Sequence, residues 1–153
     1  MTRSPRLKLF LRKTVRLWRA VFCLLACLYM DQKARPTLAE VDAYPLPELL
    51  IPRVAKVHGY SMTDAENLVK EAKRMLYLSI VSDSAISPSV EIDDAWHEML
   101  MFTRFYREFG DFIGGFIHHD PTPGPPDGGR LYAKTKENYE KHFNQKPNSR
   151  YWT

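Results

Sequence analysis

The 153-residue chain has two cysteines, Cys23 and Cys27, and none after them. That excludes a disulfide framework, and no second cysteine pair completes a zinc-finger spacing. There is no run of 18 apolar residues; the longest, Val21 to Met30, is about half the ~20 residues that span a bilayer. Glycine is scarce at seven residues, and no G-x-G-x-x-G or G-x-S-x-G occurs, so neither a phosphate-binding loop nor a hydrolase elbow is indicated. Alternation of apolar and polar residues never lasts more than a few positions, which argues against a sheet.

The charge is also missing where a polyanion binder would carry it. The net of +4 divides unevenly along the chain. Residues 1–29 hold seven basic residues and no acid, whereas the other 124 residues hold 15 basic and 18 acidic ones. The body therefore has no electrostatic footprint for nucleic acid, and no nucleic-acid partner is expected.

Three readings fit the segment 1–29. It resembles the basic and apolar regions of a signal peptide but lacks a small-residue cleavage site. It can form an amphipathic basic helix, with Leu7, Phe10, Leu11, Val15 and Trp18 near one face, for peripheral contact with an anionic membrane. Alternatively, translation begins at Met30, where charge and cysteine content change abruptly. The expected location is cytoplasmic, or membrane-associated if the segment is present.

Residues 30–47 read as an irregular arm with a short helix, because Pro36, Pro45, Pro47 and Pro52 punctuate the region up to residue 52. A helical domain over 48–153 follows. Leu49, Leu50, Val54 and Val57 give helical spacing up to Gly59. Thr63-x-x-Glu66 reads as a capping box opening a helix over 64–81, with Ala65, Leu68, Val69, Ala72, Met75, Leu76 and Ile80 on its apolar face. A serine-rich loop containing Pro88 precedes a second stripe, Ile92, Trp96, Met99, Leu100, Thr103 and Tyr106, which Gly110 should end. Residues 110–120 predict a tight turn and a short packed piece. Residues 121–129 predict a loop, and a last helix should run from about Arg130 to Phe143. Trp152 in the tail can fold back on the body. The expected fold is all-α, a small single-domain bundle of about four helices with a Gly/Pro-rich loop before the last one.

Chemistry concentrates around four histidines between residues 97 and 142. Asp93 and His97 stand four apart on one helix, so a carboxylate can orient an imidazole. If the glycine turn folds back, His118 or His119 can approach His97, with Trp96 as a wall. Two histidines with Asp120 or Glu98 would make a nitrogen and oxygen set suited to a divalent metal such as zinc. The candidate metal ligands are His97, His118 and His119. His97-Glu98 begins like H-E-x-x-H, but Met101 occupies the place of the second histidine, which excludes a zincin. Without a metal, the same residues can form a hydrogen-bonded network inside the packing. Ser82, Ser84, Ser87 and Ser89 fit loop and helix-cap positions.

The run from Ser87 through Asp93, Trp96 and His97, followed by Thr103, Tyr106, Phe109-Gly110 and Phe116 to Pro121, resembles the glycine-rich domain-containing protein-like family. The resemblance covers about residues 50–152. It implies a small helical domain, often a stand-alone bacterial or phage-borne protein, and assigns it no particular activity. It also implies that Asp93, Trp96, His97, His118 and His119 act as one unit. Met99 stands where members often have a second histidine, and Tyr106-Arg107-Glu108 where they often have a cysteine. Because the residues complete no recognised catalytic set, the expectation is a non-enzymatic interaction module with a His/Asp/Trp network and a protein partner. The alternative is a metal- or small-ligand-binding domain using His97 and His118/His119.

Overall fold

Punctuation by proline and glycine divides the chain into short helices, as the computed structural model shows for residues 35–120 and 128–153. The readings of segment 1–29 and most of the proline-rich loop lie outside the described residues. Among the described residues there are six helices and no strand: α1 Leu38–Ala43, α2 Leu50–His58, α3 Met62–Val81, α4 Val90–Met101, α5 Thr103–Ile113 and α6 Gly128–Phe143. Residues 36–153 form one compact unit. None of the helices in the described residues is long and apolar enough to cross a membrane.

The bundle is built around α3, which packs against α1, α2, α4 and α6. The apolar stripe read from its sequence is buried from Ala65 to Leu76, and Ile80 packs partly buried at its end. Because neighbours cover α3 on several sides, Glu71 and Lys73 are buried as well. Lys73 donates from Nζ to the carbonyls of Asp42 at 2.7 Å and Tyr44 at 3.1 Å, and so ties the end of α1 to α3. Glu71 accepts from Tyr139 Oη on α6 and from Trp152 Nε1 in the tail, at 3.0 and 2.8 Å. Trp152 is only 3% exposed, so the tail does return to the core.

Several local details differ from the sequence reading. The cap of α3 is Ser61, which accepts from Asp64 N–H, rather than the Thr63/Glu66 box. A full capping box instead joins Thr37 and Glu40 and starts α1 within the proline-rich arm. The stripe through Ile92 and Tyr106 is two helices. The break falls at Phe102, whose ψ of 64° leaves the helical region. No glycine or proline marks that break, and the apolar period passes through it.

Gly110 does not end a helix. It lies inside α5, which stops at Gly114 with a φ of 107°. A Cβ on Gly110 would sit 3.1 Å from the carbonyl oxygen of Gly115, so glycine is what lets the following turn lie against the helix. Gly128 and Gly129 open α6 instead of closing the loop before it.

Candidate functional site

The close turn after α5 decides where the histidine pair goes. Gly114 and Gly115 N–H both bond back to the Gly110 carbonyl, reversing the chain. Residues 116–119 then run back toward α4. Tyr106 on α5 fastens them by donating its hydroxyl to Ile117 O at 2.6 Å while accepting from Trp96 Nε1 at 3.0 Å. Trp96 and Tyr106 are 8% and 4% exposed, so this relay is buried, and burial raises the pKa of the Tyr106 hydroxyl.

The relay leaves His119 beside α4. Its Nε2 lies 3.2 Å from Asp93 Oδ1, and its ring centroid is 4.3 Å from that of Trp96 and 4.4 Å from that of His97. His97 Nδ1 is 3.6 Å from Asp93 Oδ2, a charge contact longer than a hydrogen bond. One donor atom from each of Asp93, His97 and His119 can be chosen so that all three lie within 4.8 Å of one another. Around a tetrahedral zinc ion, ligand atoms are about 3.4 Å apart, as bonds of ~2.1 Å require. The widest pair in the trio is thus at most about 1.4 Å beyond ligating spacing.

His118 diverges from its neighbour. It is exposed, it is not one of the trio, and its ring sits 4.8 Å from that of Phe116. The sequence could not tell which of two adjacent histidines would turn inward. Glu98, an alternative carboxylate in the sequence reading, faces α2 instead and pairs there with Arg53 and with His58 Nε2, the latter at 3.3 Å.

This second cluster was not read from the sequence. His58 Nδ1 is 3.4 Å from Asp94 Oδ2, which also accepts from Tyr60 Oη at 3.0 Å. Desolvation, followed by the Asp94 hydrogen bond, pushes the Tyr60 hydroxyl up to about 12. The available signal was that Asp94 and Glu98 repeat the four-residue spacing of Asp93 and His97. Two adjacent carboxylates on α4 thus serve different clusters.

The trio opens on a cleft of about 520 Å³, within the ~300–1,000 Å³ usual for ligand sites. Its lining includes Ser87, Ser89, Trp96, His118 and Asp120. The Ser87 amide and the Ser89 hydroxyl there are engaged. Ser87 N–H donates to Thr135 Oγ1 at 2.9 Å, while Ser89 caps α4 and donates to the Tyr151 carbonyl. Side-chain exposure of 47% for His97, 33% for Asp93 and 13% for His119 leaves the trio reachable from solvent.

These features define a small helical domain with a His/Asp cluster on a cleft wall. The chain belongs to the UCP032817-like family, whose match runs over residues 37–125. That span holds α1 to α5 and the whole trio, while α6 and the tail lie beyond it. No curated protein and no solved structure is significantly similar to the chain.

Proposed function

We propose that the domain binds a divalent transition-metal ion through Asp93, His97 and His119. The observation that carries this reading is the mutual approach of three donor atoms from two chain segments on the wall of an accessible cleft. Two imidazoles and one carboxylate suit zinc or a non-haem iron, and a three-ligand set leaves a position for a water or small ligand.

The test is native mass spectrometry with elemental analysis on the full chain, purified without a histidine tag. Stoichiometric metal that disappears in His97→Ala supports the reading. Metal-free folded protein overturns it.

A second reading has its own support. The Trp96–Tyr106–Ile117 relay and the Asp93–His119 bond fasten the turn to α4 without a metal. In that reading the domain is a non-enzymatic interaction module that meets a protein partner through its surface. It expects metal-free protein whose melting temperature falls in His119→Ala, because the return segment loses its bond to α4 and its packing on Trp96.

A further inference from the structure

We infer that the cleft receives a ligand with one neutral or monoanionic metal-coordinating head and an apolar body about the size of an aryl ring. This rests on the metal reading proposed above. A divalent ion held by one carboxylate keeps a single positive charge, which one anionic head neutralises. Among the described residues no lysine or arginine lines the cleft.

A dianionic phosphate would therefore meet no lysine or arginine among the described lining residues. The N-terminus of α4 opens at the same place, but Glu91 and Asp93 already occupy its first turn and Ser89 accepts from the Ile92 N–H. That end offers little attraction to a further anion.

The rest of the lining argues for the apolar body. Ile86, Pro88, Val90, Trp96 and Leu131 face the cleft, while the Ser87 amide and Ser89 hydroxyl are already bonded within the protein. Polar groups placed against Ile86, Pro88, Val90 and Leu131 would lose hydration without regaining hydrogen bonds from those side chains. Recognition is thus divided between a coordinating head at the trio and apolar contact along the cleft.

The experiment is calorimetric titration of the zinc-loaded full chain with benzohydroxamate, acetohydroxamate and inorganic phosphate. Benzohydroxamate should bind at least about tenfold more tightly than acetohydroxamate, the gain expected from burying an added phenyl ring. Phosphate at equal concentration should not displace it. Leu131→Ser and Val90→Ser should each reduce the preference while leaving zinc stoichiometry unchanged; Val90 is 76% exposed, so its replacement spares the core. A chain that takes up zinc but binds both hydroxamates equally, or phosphate more tightly, overturns this inference and leaves the metal reading standing. A chain that takes up no zinc overturns both.

Discussion

His119 Nε2 lies 3.2 Å from Asp93 Oδ1 across 26 residues of sequence, with the α4–α5 break and the glycine turn between them. Bringing them together requires that the chain change course at both places. The reversal at Gly114 depends on a positive φ, and the return segment depends on the Tyr106 hydroxyl. The geometry of the trio is therefore a product of the packing behind it.

The two adjacent histidines should behave differently. His119→Ala should abolish stoichiometric metal uptake, whereas His118→Ala should leave it intact, because only His119 is one of the trio. Elemental analysis of the two variants beside the wild-type full chain checks this. Equal loss in both would mean that the pair acts as a unit and that the inward placement of His119 alone is wrong.

Tyr106→Phe keeps the ring and its T-shaped contact with Phe116, at 5.3 Å between centroids, and removes only the hydroxyl. Trp96 Nε1 and the Ile117 carbonyl then lose their shared partner in a buried setting. Leaving such groups unsatisfied should cost about 1–3 kcal/mol. Chemical denaturation followed by far-UV circular dichroism measures it. Metal affinity should fall as well, since Ile117 is two residues from His119.

The sequence made the helical class plain because α3 and the α4 stripe have strong three- and four-residue apolar spacing, and because proline and glycine mark most boundaries. It also placed Asp93 and His97 on one helix face, a consequence of local geometry alone. The break at Phe102 was illegible because Met99, Tyr106 and Phe109 keep the apolar period running past it. The choice between His118 and His119 was equally hidden: it depends on a bond from Tyr106 to a backbone carbonyl, which no residue pattern encodes. The His58 cluster required α2 to pack on α4, a relationship between helices 40 residues apart.

Trp152→Phe tests the tail. The indole N–H donates to buried Glu71, and the ring packs edge-on to Tyr139 at 5.5 Å. Phenylalanine keeps much of the packing and removes the charge-assisted bond, which should cost about 1.5–3 kcal/mol. Urea denaturation of the full chain checks it, and an unchanged midpoint would mean that the bond contributes nothing net.

Lys73 gives a pH signature of unusual sign. Burial lowers its pKa from 10.5 to about 8, against the raising effect of Asp42. In the unfolded chain the amine keeps its proton up to about pH 10.5, so between about 8 and 10.5 the unfolded state binds more protons than the folded one. Stability from this group must therefore rise with pH across that window, and the cost of burying the charge is present in full below it. Lys73→Met removes the titration. Unfolding free energies measured from pH 7.5 to 9.5 should climb more steeply for the wild type than for the variant. The upper limit avoids the tyrosines, whose raised folded-state values lower stability at higher pH. Parallel curves would mean that the Lys73 ammonium keeps its proton through the window.

Gly110→Ala sets two effects against each other. In an exposed helix interior, alanine is favoured over glycine by about 1 kcal/mol. Here the new methyl would lie 3.1 Å from the Gly115 carbonyl oxygen and 3.4 Å from Phe116 Cα, both backbone atoms. Neither can swing aside like a side-chain end, and Gly115 is bonded back to Gly110 itself at 2.9 Å. The turn must shift by a few tenths of an ångström, and its displacement passes to His119 four residues on. Steric cost should outweigh propensity, so the melting temperature should fall and metal affinity should weaken with it. A melting temperature above that of the wild type would show that the turn yields freely and does not hold the histidine in place.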